Sequence, residues 1–394
     1  MARHPRPRVA RGRSRTGERF TAVVGPVAHG GHCVVRLPAP ESRVVFTRHA
    51  LPGERVVVEI TEGSEGDSFW RGDAVEVLEP SPDRVPAPCP VAGPGLCGGC
   101  DFQHVTPSRQ RSLKADVVRE QLVRLGRLDA ADPLVANLVV EHVDGDADGL
   151  RWRTRVRFAT TADGRRGMRR HRSHDVVPVD DCLIARPDAL EPRLGTVTET
   201  VVTDDADHVF TVEADGFWQV HPGAARVLVE TVLDVLAPRP GEAVLDLYAG
   251  VGLFARFLAD EVGPGSRVVA VEGDRRACAH ARSTLGDVGP VSAGRIDQVL
   301  AGGYDEPYDL VVLDPPREGA GRKVVEQVVD RAPRAVAYVA CDPAALARDV
   351  ATFAGHGYRL TRLRAFDLFP MTGHVECVAL LERTGSDLRR SDSR

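Results

Sequence analysis

From about residue 205 the chain alternates short apolar runs with helical stretches, and that alternation leaves few folds open. EAVLDLYAG reads as a strand running into a glycine loop, and LFARFLADEV as the helix after it. RVVAVEGD is a second strand ending in acids, followed by a helix from Arg275 to Leu285. YDLVVLDPPR and RAVAYVACDP are two further apolar strands. The last runs, RLTRLRAFDLFP and HVECVALLER, leave no room for a helix between them and are expected to end the sheet as an antiparallel pair. Strands alternating with helices imply a parallel, doubly wound α/β sheet of Rossmann-like type. Such a sheet places its ligand at the carboxyl ends of its strands. Each polar motif just quoted stands at such an end.

The residues at those ends carry the chemistry. Gly250 and Gly252 in VLDLYAGVGLF let the backbone approach a ligand closely. Glu272 closes the next strand, where an acid can hydrogen-bond ribose hydroxyls. No third glycine completes a pyrophosphate fingerprint, so an adenosine ligand without phosphate is favoured over a dinucleotide. S-adenosylmethionine fits that description. Asp314 of LDPPR is expected to face the same crevice. Enzymes that methylate base amino groups place an aromatic residue after a similar Pro-Pro, and Arg317 stands there instead. RNA cytosine-5 methyltransferases carry a cysteine in this motif, and Pro316 occupies its place. Cys341 ends the next strand. Carbon 5 of a pyrimidine is a poor nucleophile, but a thiolate added to carbon 6 makes carbon 5 enolate-like and able to take a methyl group. The carbon 5 proton must then leave, and Glu376 in HVECV is the carboxylate nearest in fold order. Cys377 alternates to the opposite side of that strand and is expected to pack in the core.

A second constellation lies upstream. Cys89, Cys97, Cys100 and Cys182 combine three thiols on a Gly/Pro-rich loop with a fourth from VDDCLIARP. Zinc or an iron–sulfur cluster could be held this way, and the flanking glycines suit the bulkier cluster. Residues 17–79 read as five short strands of an OB-like β-barrel, a fold that commonly binds nucleic acid. Leu113, Val117, Leu122 and Leu125 form a helical stripe within Pro107–Leu128. Residues 151–160 and 175–185 are expected as strands around a basic turn from Gly164 to Arg172.

Charge points to the partner. The chain carries −5 overall, yet residues 1–15 hold six arginines and no acid, and residues 151–174 hold nine arginines against Asp163. A basic face on an acidic protein suits a polyanion. No apolar run is long enough to span a membrane, and the start has no apolar segment of a secretory signal. A cytoplasmic monomer that binds RNA and no membrane is expected. The expected domains are a basic flexible tail over 1–16, the OB-like domain over 17–79, a central mixed domain with the cysteines over 80–204, a methyltransferase domain over 205–384, and a flexible tail over 385–394.

Taken in order, these motifs resemble the RNA (uracil-5-)-methyltransferases of the bacterial 23S rRNA type. That family joins an N-terminal TRAM (OB-like) domain, a central domain with a [4Fe-4S] cluster, and a class I S-adenosylmethionine-dependent methyltransferase domain. The likeness runs from about 17 to 382. CGGCDFQHV is similar to the family's CGGCxxQH, which implies Cys97 and Cys100 as cluster ligands, with Cys89 and Cys182 completing the set. GFWQVH resembles FxQVN and implies Gln219 as a donor ligand. DLYAGVG, VEGD and LDPPR imply Tyr248, Glu272 and Asp314 for the same ligand. VACDPAALARD implies Cys341 as nucleophile, and HVEC, similar to HVET, implies Glu376 as base. The chain departs from the family in four places. Seven residues separate Cys89 from Cys97 where five are usual, His221 replaces an Asn, Leu253 stands where Asn is frequent, and Asp342 follows the nucleophile where Asn is common. The resemblance leaves tRNA open as an alternative substrate. The bacterial tRNA-specific branch usually lacks the cysteines, while some related tRNA enzymes carry a cluster. A non-catalytic iron–sulfur RNA-binding protein is the other class, and the presence of both Cys341 and Glu376 argues against it.

Overall fold

Alternating burial closes the N-terminal strands on themselves. In Arg19–Ala28 the inward residues are Ala22, Val24 and, after a register shift, Val27. His32–Arg36, Val44–Arg48, Arg55–Glu62 and Phe69–Glu79 complete a closed five-stranded barrel, as expected for 17–79. Val35, Val45, Val56, Val58, Ile60 and Trp70 fill it. Closure removes the exposed strand edges that an open sheet would present.

This computed structural model describes residues 12–385; most of the two expected tails, 1–11 and 386–394, lies outside the described residues. The chain forms two units, each assembled from separated stretches. The first takes the chain up to Leu113 together with Phe158–Leu183 and Met371–Gly373. The second takes Lys114–Arg157, Ile184–Pro370 and the chain from His374.

Within the first unit, the expected basic turn at Gly164 to Arg172 is a strand for much of its length. Arg166–Arg169 pairs antiparallel with Ala159–Thr160 on one side and Val176–Pro178 on the other. The reversals are the shorter segments Thr161–Arg165 and Arg170–Asp175. Dense arginine hid the strand: Arg166 and Arg169 are exposed while Gly167 is buried. A Cβ on Gly167 would meet the Val177 carbonyl oxygen at 2.4 Å, so glycine is what allows the two strands to close.

The second unit is built on an eight-stranded sheet. Its order is Val291–Ala293, Val268–Glu272, Val244–Leu247, Leu310–Leu313, Ala335–Ala340, Glu376–Arg383, Tyr358–Asp367 and Val140–His142. The first five are mutually parallel. Glu376–Arg383 runs antiparallel to both its neighbours. The antiparallel pair is therefore present, but it does not end the sheet. Val140–His142 adds a further edge strand, parallel to Tyr358–Asp367. Three residues from far upstream are too few for a period to register.

Strand residues alternate between two cores. Val268, Ala270, Leu310 and Val312 pack on one face with helices Ala224–Leu236 and Leu253–Val262. Val269, Val271, Val311 and Leu313 pack on the other with Gly321–Asp330 and Pro343–Ala354. The β/α alternation starts one element later than its sequence pattern suggests. Asp207–Glu213 pairs with Thr196–Val202 in a separate two-stranded sheet, and Ala224–Leu236 is the first helix after it. The helix expected over Pro107–Leu128 ends at Arg124, where Gly126 and Arg127 turn the chain. No helix among the described residues is long and apolar enough to cross a membrane.

Candidate active site and cysteine constellation

The donor side grows from the strand Val244–Leu247. Leu245 and Leu247 enter one core and Val244 the other. Asp246 is fully buried at the position where that other core would take an apolar residue. Its Oδ2 accepts from the Ala255 N–H at 2.9 Å, in the first turn of Leu253–Val262. Burial, with Asp314 and Glu272 nearby, pushes its carboxyl up to about 7. No motif assigned Asp246; the signal is a lone acid inside an otherwise apolar strand.

The loop between strand and helix is left-handed at Tyr248 (φ 64), Gly250 (φ 58) and Gly252 (φ 89). A Cβ on Gly250 would meet nothing within 4 Å, so the bare backbone faces open space. Glu272 ends the next strand and locks this loop. Its Oε2 accepts from Gly250 N–H at 2.9 Å and its Oε1 from Asp274 N–H at 2.6 Å. Asp314 follows the strand Leu310–Leu313, and its N–H donates to the Leu247 carbonyl at 3.3 Å. Burial and Glu272 push its carboxyl up to about 7. Tyr248, Glu272 and Asp314 thus gather at adjacent strand ends, with Asp246 beneath them. An acidic crevice beside bare backbone fits the cationic methionine end and the ribose of S-adenosylmethionine.

Gln219 lies on a different segment, between Asp207–Glu213 and Ala224–Leu236. Its neighbours are fixed. The Val220 carbonyl accepts from Thr154 N–H at 2.8 Å and from Thr154 Oγ1 at 3.0 Å. His221, only 2% exposed, stacks on Trp152 with ring centroids 6.2 Å apart. Burial pushes its imidazole down to about 4. It is neutral at physiological pH and acts as a packed aromatic ring.

Cys341 directly follows Ala335–Ala340. The antiparallel register pairs Val339 with Val378 and Ala340 with Cys377. The next step along that ladder sets Cys341 opposite Glu376. Cys377 is fully buried in the core, as the alternation expected. Cys341 is half-buried and Glu376 is 4% exposed. Burial pushes the Cys341 thiol up to about 12, Glu376 adding to the shift and Arg317 opposing it. Burial, with Asp314, also holds the Glu376 carboxyl well above the usual carboxylate range, again opposed by Arg317. Arg317 lies with its Nη2 3.5 Å from His374 Nε2. Asp342 contributes least to the Cys341 shift. Its side chain acts locally instead, with Oδ1 accepting from Ala345 N–H at 2.8 Å to cap the helix Pro343–Ala354.

The four cysteines of the second constellation all belong to the first unit. Burial raises the thiols of Cys89, Cys97 and Cys100, the last to about 12, and Cys182 acts on all three. Gly99 N–H donates to Cys97 Sγ and Gln103 Nε2 to Cys100 Sγ, each at 3.4 Å. Among the described residues no three His, Cys, Asp or Glu are arranged to hold a single metal ion. A cluster is larger and takes thiols that stand further apart, and N–H donors to sulfur are what tune it. Gly98 N–H also donates to the Arg169 carbonyl at 2.9 Å, which ties the cysteine loop to the arginine-rich strand.

Three families match parts of the chain: TRAM domain over 13–75, Methyltransferase small domain over 222–338, and tRNA (Uracil-5-)-methyltransferase over 294–384. An uncharacterized RNA methyltransferase of Streptomyces coelicolor is 45% identical over 439 residues, covering 95% of each chain. Another, from Bifidobacterium longum, is 37% identical over 423 residues, covering 90% of this chain and 95% of its own. Among solved structures, the Pyrococcus abyssi tRNA (uracil-54, C5)-methyltransferase with S-adenosyl-L-homocysteine superposes with a TM-score of 0.66. It covers 92% of this chain and 99% of its own at 20% identity, which establishes a shared fold. With near-full-length identity of this order to RNA methyltransferases, and the TRAM and uracil-5 methyltransferase matches at its two ends, the chain belongs to the RNA methyltransferase family.

Proposed function

We propose that the protein transfers a methyl group from S-adenosylmethionine to carbon 5 of a uridine in RNA, through a covalent adduct between Cys341 and carbon 6. The observation that carries this reading is the ladder that ends with Ala340 opposite Cys377, which leaves Cys341 and Glu376 as the next residues, with Glu376 the charge acting most strongly on Cys341 and Asp314 one strand away. Bound S-adenosylmethionine supplies the methyl group, its sulfonium–methyl bond breaking so that the neutral thioether S-adenosylhomocysteine leaves. Tyr248, Glu272 and Asp314, with Gln219, hold it at the glycine loop. The Cys341 thiol gives its proton to solvent and its sulfur bonds carbon 6, moving the ring π-electrons toward carbon 5 and the carbon 4 oxygen. Once carbon 5 carries the methyl group, Glu376 takes its proton. The freed electron pair restores the 5,6 double bond and expels the Cys341 thiolate. Arg317 is the cation that favours the ionised form of both groups.

In this reading Cys89, Cys97, Cys100 and Cys182 hold a [4Fe-4S] cluster, and the arginine strand tied to their loop meets RNA phosphates. The cysteine set favours 23S rRNA. tRNA is the alternative substrate, since the matched family and the superposed structure are both named for tRNA. Methyl incorporation into unmodified rRNA and tRNA separates the two. The chemistry is tested on a denaturing gel. Cys341→Ala abolishes the protein–RNA adduct and methyl transfer. Glu376→Gln still forms the adduct but cannot resolve it, so a denaturant-resistant complex accumulates. RNA containing 5-fluorouridine traps the wild type, because fluorine cannot leave as a cation. An adduct between Cys341→Ala and 5-fluorouridine RNA would assign the nucleophile to another residue.

A further inference from the structure

The seven residues between Cys89 and Cys97, two more than the usual spacing, form one wall of a cavity. The loop is folded on itself. Ala92 N–H donates to the Cys89 carbonyl at 3.1 Å, Leu96 N–H to the Gly93 carbonyl at 3.1 Å, and Cys97 N–H to the Val91 carbonyl at 3.0 Å. Gly95 N–H donates to Asp73 Oδ2 at 3.4 Å and ties the loop to the barrel strand Phe69–Glu79. The cavity has a volume of about 480 Å³, a size that suits a small organic ring system rather than an ion. Ala92, Gly93 and Pro94 line it from the loop, and Ala74, Val75 and Val77 from the strand. All of these residues belong to the first unit.

His49 and His104 line the same cavity, with ring centroids 6.1 Å apart. They are 8% and 7% exposed, and the Nε2 of each has no hydrogen-bond partner among the described residues. Buried polar atoms left unpaired in this way ask for a ligand. Burial pushes the two imidazoles down to about 2 and about 4. Both are therefore neutral, and a neutral imidazole offers one donor and one acceptor but no charge. The other ionisable lining residues are Arg84 and Glu76. Arg84 is already matched: its Nε and Nη2 donate to the Glu54 carboxylate at 2.6 and 2.7 Å. With Glu76 exposed and uncompensated by Arg84, the cavity disfavours a phosphate. It favours a neutral planar ring, with a hydrogen-bonding edge for the histidines and apolar faces for Val75, Val77, Val85 and Pro86.

We propose that this cavity receives an unpaired nucleobase of the RNA, and that the lengthened cysteine loop is what encloses it. The proposal rests on the reading of RNA as the substrate. The TRAM match over 13–75 includes His49, Ala74 and Val75, and single-stranded RNA is read by bases splayed out and held by their edges. Among the described residues its lining includes neither Cys341 nor Glu376, so the base it takes is not the uridine to be methylated. A second base held in this way would help to select one uridine among many.

The test uses the full chain purified without oxygen. Fluorescence anisotropy compares short single-stranded homopolymers of A, C, G and U with an abasic ribose–phosphate chain of the same length. The wild type is expected to bind at least one base-bearing RNA about tenfold more tightly than the abasic chain. Two variants remove that preference. Ala92→Trp fills the cavity from the loop, and deletion of Gly93 and Pro94 restores the usual spacing and takes away the wall. Affinity for the abasic chain stays at the wild-type value, and the variant that keeps the wild-type melting temperature decides. A wild type that binds base-bearing and abasic chains alike refutes the proposal. A preference that persists in the variants refutes it too, because the bases are then read elsewhere. An equal loss on the abasic chain in both variants also refutes it, since that marks a general defect. Covalent trapping by 5-fluorouridine RNA is run beside these measurements. Trapping of the wild type together with any of these refuting results leaves the methyl-transfer reading standing, whereas absence of trapping counts against that reading and not against the cavity.

Discussion

Two acids near the glycine loop, Asp246 and Asp314, are pushed up to about 7 by burial and, after it, by neighbouring carboxylates, Glu272 acting on both. Below that value they hold protons; above it they are ionised. A cationic ligand binds the ionised forms better, so S-adenosylmethionine affinity rises with pH through about 7. Isothermal titration one unit on either side of that value reads the effect, and Asp314→Asn flattens it. Equal affinity at both values in the wild type would mean that these carboxyls do not face the donor. Cys341 responds to pH in the same direction. Its thiol is raised to about 12 from 9.0, chiefly by burial, so the thiolate grows with pH across the whole neutral range. Adduct formation with 5-fluorouridine RNA is expected to keep accelerating as pH passes the ordinary thiol value of 9.0. A plateau near neutrality would indicate that bound RNA brings Arg317 or another cation onto the sulfur.

The arginine-rich strand Arg166–Arg169 shows how charge can mask an element. It exposes Arg166 and Arg169, with Arg170 just beyond, while Gly167 packs against Val177. Partners already engage part of this surface: Arg172 Nε donates to Glu62 at 3.1 Å, and Arg166 stacks over Phe158 at 3.4 Å. Arg169, with Nη1 3.4 Å from His174 Nδ1, and Arg170, 4.0 Å from Asp175, are held by longer contacts and are the better candidates for phosphate ligands. Replacing both with Ala is expected to weaken RNA binding and to flatten the salt dependence by roughly 0.7 per lost phosphate contact. An unchanged slope would place this strand off the RNA path. The parallel strands and their terminal motifs were legible because apolar runs and glycine loops are local signals. Cys341 could be placed at a strand end from AYVACDP alone. The rest depended on partners distant in sequence. Val140–His142 joins the sheet edge, Gly98 meets the Arg169 carbonyl, and Asp101 meets Gly373, each through pairings no short window contains. Asp246 was visible as a letter but not as a buried acid until its strand acquired neighbours on both sides.

At the scale of the whole molecule, the two units are unequal in how they are stabilised. The second has apolar cores on both faces of its central sheet, drawing on helices packed against each face. The first has the smaller core of its barrel and, like the second, is assembled from three stretches of chain. Two of these, carrying Cys89–Cys100 and Cys182, contribute the thiols proposed to hold the cluster. A ligand that bridges distant stretches stabilises the folded unit by its binding free energy and by closing a long loop. Protein purified without oxygen is expected to carry about four irons per chain. Cys182→Ser removes the ligand contributed by the separate stretch, so iron content falls. Calorimetry should then show a lower melting temperature for one transition while the other, belonging to the sheet-based unit, stays in place. Binding of S-adenosylhomocysteine is expected to survive, because Tyr248, Glu272 and Asp314 all belong to that second unit. Stoichiometric zinc without acid-labile sulfide in the wild type would replace the cluster by another metal. If Cys182→Ser instead abolished donor binding along with iron, the two units would have to fold as one, and the cysteines would support the methyl-donor site as well as the RNA-binding one.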